Sequence, residues 1–130
     1  MYKKDFKGWG NLKVEIDKFE KLPSVKEREI WWCSVGVNIG TEMDGKNELF
    51  HRPVLVLKKL STDLYLVAPL TSKKKEGTWY IQISFKGDVK TVCLHQIKVV
   101  NTKRIGKLVV RLPSQEFDKV RVSLKNLYSF

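Results

Sequence analysis

The side chains best placed for chemistry fall on two short stretches. The first runs from Gly40 to Lys58, GTEMDGKNELFHRPVLVLK. It carries an acid, Glu42, in a glycine-bounded loop, then His51-Arg52-Pro53 at the head of the apolar run Val54 to Leu57. So short an apolar run, flanked by lysines, reads as a buried strand. Arg52 then lies where a loop becomes a rigid strand, which holds a functional side chain still. The second stretch, Leu64 to Pro69 followed by Leu70-Thr71-Ser72, is another apolar strand that delivers two hydroxyls at its exit.

An arginine, hydroxyls, one acid and two histidines suit a reaction whose nucleophile belongs to the substrate, namely cleavage of RNA by its own 2′-hydroxyl. The protein must then hold the phosphate in line, stabilise added negative charge and move protons. A planar guanidinium is the best donor to that charge, and Thr71 or Ser72 adds a hydroxyl. Plainer roles compete. Arg52 could form a surface ion pair with Glu42 or Glu48, Thr71 and Ser72 could bond to nearby backbone, and Glu42 could be merely solvated. His51 suits a general base, but next to Arg52 in a strand it faces the other way. Lys46 and the run Lys73-Lys74-Lys75 offer cations to phosphates, or simply to water. One of Trp31 and Trp32 must point outward if they share a strand, and could stack a base; core packing is the simpler role.

Other chemistries lack their motifs. There is no G-x-x-x-x-G-K-[ST], G-x-G-x-x-G or G-x-S-x-G, and no carboxylate pair stands out as a glycosidase dyad or magnesium site. Cys33 and Cys93 match no metal or redox spacing and read as small buried hydrophobes. The expectation is a reaction without metal or cofactor.

Composition sets the frame. The 130 residues are one domain's worth, and 42% apolar residues can fill a modest core. Lys and Arg number 25 against 14 acids, a net charge of +11, which favours a polyanionic partner. No apolar stretch approaches the roughly 18 residues of a membrane span, and the N-terminus lacks a signal-like apolar core. A cytoplasmic protein with no membrane association is expected.

The elements that position these residues follow from periodicity. Phe6, Trp9, Leu12, Ile16 and Phe19 mark one face of a helix over 5–20, capped by Asp5 and ended by Pro23. Strands are expected at Glu29–Val35, 52–58, 64–69, Thr78–Phe85 (alternating Trp79, Ile81, Ile83 and Phe85), Thr91–Val100 with a break near His95-Gln96, and within Ile105–Leu112. Ser114 is expected to cap a last helix carrying Phe117, Val120, Leu124 and Leu127 on one face. Five to seven short strands with a helix at each end imply a mainly β fold, a small curved sheet or barrel with flanking helices.

The order G-x-E-x-x-G…R-P-V-L-V-L, V-A-P-L-T-S, L-H-Q-I-K-V-V-N-T-K-R-I-G resembles the MazF/PemK-like toxins of bacterial toxin–antitoxin pairs, from about Glu29 to the C-terminus. The resemblance implies a small SH3-like barrel, a homodimer, a cognate antitoxin, and metal-independent cutting of single-stranded RNA at short sequences. The products would carry 2′,3′-cyclic phosphate and 5′-hydroxyl ends. By motif position Arg52 matches the catalytic arginine, Thr71 the phosphate-supporting threonine, Glu42 the loop acid and Gln96 a base-reading glutamine. Ser72, His95, Lys46, Lys73, Lys74 and Lys75 are the further RNA-binding candidates. The sequence departs from the pattern in its longer Gly45–Arg52 loop, Met43 where glutamine is usual, His95 before the glutamine, and Asn101 for aspartate. Residues 1–28 form an extension outside the common core, expected to pack on the barrel domain, 29–130. The same barrel in CcdB-like toxins binds DNA gyrase and cuts nothing, so a binding module, or an RNA binder without cleavage, is the alternative.

Overall fold

The structure, a computed structural model, describes residues 2–130; Met1, the first residue of the expected extension, lies outside them. In chain order the elements are α1 (Phe6–Asp17), β1 (Glu29–Ser34), β2 (His51–Lys59), β3 (Leu64–Thr71), β4 (Tyr80–Phe85), β5 (Asp88–Cys93), β6 (Lys98–Asn101), β7 (Ile105–Arg111) and α2 (Ser114–Leu127). Single 3-10 turns, Leu94–Gln96 and Thr102–Arg104, separate β5 from β6 and β6 from β7.

The apolar run in β2 is buried on both faces. Val54 and Val56 face a core with Trp31, Cys33, Val67, Val100 and Ile105. Leu55, pointing the other way, joins Ile30, Ala68, Leu70, Ile83, Val92 and Leu112 in a second core that α2 covers through Val120, Phe117 and Leu124. A strand covered on both sides has no polar alternation to show, which is why this stretch is continuously apolar.

β3 is the hub of the sheet. One edge pairs antiparallel with β2, Val54 opposite Pro69 and Lys59 opposite Tyr65. The other edge is shared end to end: Leu64–Val67 pair with β6, while Leu70 and Thr71 pair with β5, whose own hairpin partner is β4. β1 lies between β2 and β7. Along the path β6-β3-β2-β1-β7 the outermost strands are joined by only the turn Thr102–Arg104, so the sheet must curl until its ends meet. The result is the expected mainly β barrel with a helix at each end, its strands numbering seven, the upper end of the five to seven expected.

The helix boundaries differ from expectation. α1 stops at Asp17, well short of Pro23, because the Lys18 and Phe19 amides bond back to the Glu15 and Ile16 carbonyls and close the last turn tightly. Phe6 and Phe19 are consequently exposed, while Trp9 and Ile16 dock on Val37, Leu12 and Phe50. Asp5 caps the start as expected, accepting from the Gly8 amide at 2.8 Å. Ser114 is not the cap of α2. Pro113 occupies that position with extended backbone (φ −55°, ψ 143°), and its carbonyl receives the Phe117 amide at 3.0 Å. Trp79 precedes β4 rather than opening it. Gly36 has φ +83°, and any side chain there would run into the Trp9 indole, so the seat of α1 requires glycine. Among the described residues no helix is long and apolar enough to cross a membrane.

Candidate active site

Arg52 and Thr71 share one face at the open end of the β2–β3 ladder. Val54 pairs with Pro69; continuing that antiparallel register by two residues puts Arg52 opposite Thr71. Both side chains point the same way as Val54 and Val67, so they cap the end of the first core. The guanidinium is held on two sides. Its Nε donates to the Asp44 carbonyl at 2.8 Å and an Nη1 proton to the Leu70 carbonyl at 3.2 Å. The Nη2 edge is left for a substrate. Burial lowers the Arg52 pKa from its usual value, with nearby Cys93, Asp44 and Tyr2 opposing the shift. The group stays a cation at neutral pH, because guanidinium ionises far above that range.

Thr71 is buried, and its hydroxyl accepts the Lys73 amide at 3.2 Å. The local backbone bond expected of a strand-end hydroxyl is therefore present, yet the hydroxyl proton is still able to donate. Arg52 and Thr71 border two recesses. The larger, of about 440 Å³, is walled by Lys46, Lys73 and Lys75 and by Tyr80, His95 and Cys93. The smaller, of about 150 Å³, is bordered by Trp32, His51, Ser72 and Lys90, with Lys46 also at its rim. Lysines around an immobilised arginine make the recess electropositive, since each cation lowers the cost of bringing up negative charge.

The other sequence-predicted residues divide. His95 reaches the larger recess and lies beside Tyr80 and Trp79, with ring centroids 5.2 and 6.1 Å away. Lys75 sits 5.7 Å over the Tyr80 ring. Lys74 is exposed and does not line either recess. His51 lies against Trp32, with ring centroids 4.3 Å apart, and although alternation was expected to turn it away from Arg52, both border the smaller recess. Trp31 is the core member of its pair and Trp32 the half-buried one.

Glu42 does not join Arg52. Its carboxylate accepts the Ile39 amide at 2.9 Å, closing a turn within its own loop, and it borders a separate cavity of about 290 Å³ with Lys98 and Pro69. Gln96 is occupied at both ends of its amide. Its Oε1 accepts from the Met43 amide at 3.1 Å, and its Nε2 donates to the Thr41 carbonyl at 3.0 Å. It anchors the loop from below. Among the described residues no three His, Cys, Asp or Glu side chains gather to hold a metal ion.

Sequence reasoning missed Asp44, which organises the loop. Its carboxylate accepts the Asn38 amide at 2.7 Å and the Tyr2 hydroxyl at 2.9 Å, and lies 3.4 Å from the Lys4 ammonium. Tyr80 was passed over as one more residue of a half-buried strand. A lysine run followed by Trp79-Tyr80 was the available signal, aromatics interleaved with cations.

The comparisons fall on this arrangement. The sequence model of the PemK-like, MazF-like toxins of type II toxin–antitoxin systems matches residues 26–128, which include every residue of both recesses. The chain belongs to this toxin family. MazF of Deinococcus radiodurans has a similar fold, with a TM-score of 0.68 and 20% identity over 85% of this chain and 100% of that one. A MazE–MazF structure from the same organism has a TM-score of 0.63, 18% identity, and covers 85% of this chain and 99% of that one. An endoribonuclease bound to its cognate antitoxin, from a mycobacterial species, has a TM-score of 0.63 at 11% identity, over 79% of this chain and 93% of that one. Comparison with curated proteins returns no significant match. In this MazF/PemK-like chain, α1 and the residues before it lie outside the segment that the family model matches.

Proposed function

We propose that this toxin is a metal-independent, sequence-specific endoribonuclease that cuts single-stranded RNA as a homodimer in the cytoplasm and is restrained by a cognate antitoxin. The family is one of RNA-cleaving toxins, and two of the similar structures are toxins bound to their antitoxins. The observation that carries the reading is the Arg52–Thr71 pair on one face of the β2–β3 ladder, with Lys46, Lys73 and Lys75 around it.

The scissile phosphate docks on the free Nη2 edge of Arg52 and the Thr71 hydroxyl. The RNA 2′-oxygen attacks phosphorus and gives up its proton. The bond to the 5′-oxygen breaks, and that oxygen takes up a proton. The products are a 2′,3′-cyclic phosphate and a 5′-hydroxyl. Arg52 stabilises the extra charge on the non-bridging oxygens and, already fixed by two carbonyls, does not reorganise to do so. Glu42 and Gln96 act by holding the loop, while His95 and Tyr80 offer surfaces for a neighbouring base and Ser72 and Lys73 to Lys75 for the flanking strand.

Incubation with long single-stranded RNA in EDTA, followed by mapping of the ends, tests this. Discrete cuts with 5′-hydroxyl ends are expected, and Arg52→Ala should lose about 10²–10³ in rate, the usual loss of one donor to a transition-state oxyanion. No cleavage by folded wild-type protein would turn the assignment to the gyrase-binding or RNA-binding module.

A further inference from the structure

The N-terminal segment does not merely pack against the barrel; it reaches the loop that carries Arg52. We propose that Tyr2, Lys4 and Asp44 are positioning residues for Arg52, with residues 2–5 acting as a strap that holds the 38–46 loop in its working shape. The proposal deepens the nuclease reading and rests on it.

The connections run in one chain. The Lys4 ammonium donates to the Asn38 carbonyl at 2.5 Å and to the Gly40 carbonyl at 2.9 Å. It also pairs with the Asp44 carboxylate at 3.4 Å, both side chains being largely shielded from water, 21% and 12% exposed. Tyr2 donates its hydroxyl to the same carboxylate oxygen, Oδ2, at 2.9 Å. Asp44 in turn receives the Asn38 amide and offers its own carbonyl to Arg52 Nε. Lys4 and Tyr2 thus fix Asp44 from outside, and Asp44 fixes Arg52 from inside.

The foundation of the strap is independently secured. Trp9 is buried against Phe50 at a ring separation of 5.7 Å, with the Arg104 guanidinium 5.4 Å from the centre of the indole ring. The helix therefore enters the loop region at a fixed place, and four residues later in the N-terminal direction the backbone is already at Asp5. A backbone carbonyl is a strong orienting group only if its peptide is itself immobile. The Asp44 peptide precedes Gly45, whose amide bonds to the Gly36 carbonyl at 2.7 Å. That bond pins the far side of the peptide, and the strap pins the near side. Without the strap the loop keeps its Gly36 and Gln96 anchors but loses the hold on Asp44, and Arg52 loses the alignment of its Nε, leaving the guanidinium held only through the Leu70 carbonyl.

The test compares full-length wild type with Tyr2→Phe, Lys4→Met and Asp44→Asn. None removes core volume, and thermal unfolding identifies any variant that fails to fold. Amide hydrogen exchange at Met43, Gly45 and Lys46 reads the loop, and steady-state RNA cleavage reads kcat and KM. Lys4→Met and Asp44→Asn should speed exchange there by roughly tenfold and lower kcat by about three- to tenfold with KM little changed, because local opening becomes easier while phosphate contacts persist. Tyr2→Phe should move both in the same direction by less. Unchanged exchange in all three variants overturns the strap, whatever the activity. Faster exchange with unchanged kcat overturns the positioning role. If wild type cuts no RNA while the variants still exchange faster, the nuclease reading falls and the strap stands as a loop-ordering device.

Discussion

Arg52 and Thr71 border the same two recesses, and Arg52 donates to the carbonyl of Leu70, the residue before Thr71. The arginine is thereby tied to the strand that presents the hydroxyl, so the two groups keep their spacing. Substitutions that preserve charge or shape should not substitute for one another here.

Arg52→Lys keeps the charge but loses the planar fork and both carbonyl bonds. It should behave like Arg52→Ala within about tenfold, by the loss of oriented donors. Thr71→Val keeps the shape and removes the hydroxyl, and is expected to lower single-turnover cleavage on the order of 10- to 100-fold. Thr71→Ser should restore most of that rate. A Thr71→Val variant as fast as wild type would remove the threonine from the site.

Gln96→Ala frees the Met43 amide and the Thr41 carbonyl at once. The cleavage rate should fall several-fold, as expected for loss of about two net hydrogen bonds, while the set of cut sequences stays the same. End mapping across a long RNA separates this from base reading, which would change the cut sequences instead.

Those expectations show which parts of the molecule were legible in the sequence. Arg52 and Thr71 could be expected to lie together because a short apolar strand fixes where its end residues point, which depends only on local order. Five to seven strands were expected for the same reason, and the structure has seven. The loop bonds of Gln96 and Asp44 were not legible, because their partners lie 53 and 42 residues away in Met43 and Tyr2, and no local pattern records such bonds. Ser114 was taken for a cap because serine suits that position, but Pro113, with no amide proton to satisfy, fills it. The N-terminal helix was recognised by its spacing; its end was misplaced, since the early closure at Lys18 leaves no mark in the apolar pattern.

Lys73 and Lys75 line the larger recess and Lys74 does not. Replacing Lys73 or Lys75 by alanine should flatten the fall of log(kcat/KM) with log salt by about 0.7 for each lost phosphate contact on a single strand. Lys74→Ala should change the slope by less than half as much. Equal effects from all three would mean that only overall charge attracts the RNA.

Burial pushes the Cys33 thiol up to about 12, with Arg104 and Lys98 pulling it down. An unfolded thiol ionises near 8.5. Because the folded value is the higher one, the neutral thiol's contribution to stability is complete below about 8.5 and is lost as pH climbs towards 12. Denaturant titrations between pH 8 and 11 should show Cys33→Ala less stable than wild type at pH 8 and the gap narrowing with rising pH. Cys33 should also resist alkylation at pH 8 until the protein unfolds. A constant gap across that range would assign Cys33 a packing role alone.

The Gln96 amide has one further consequence, for the timing of synthesis. The loop that carries the Asp44 carbonyl emerges from the ribosome about fifty residues before the side chain that anchors it, and β1 waits still longer for β7. A nascent chain therefore contains Arg52 and Thr71 well before Gln96 can anchor the loop whose Asp44 carbonyl orients Arg52. The loop around Asp44 can be anchored only once the last third of the polypeptide has been made.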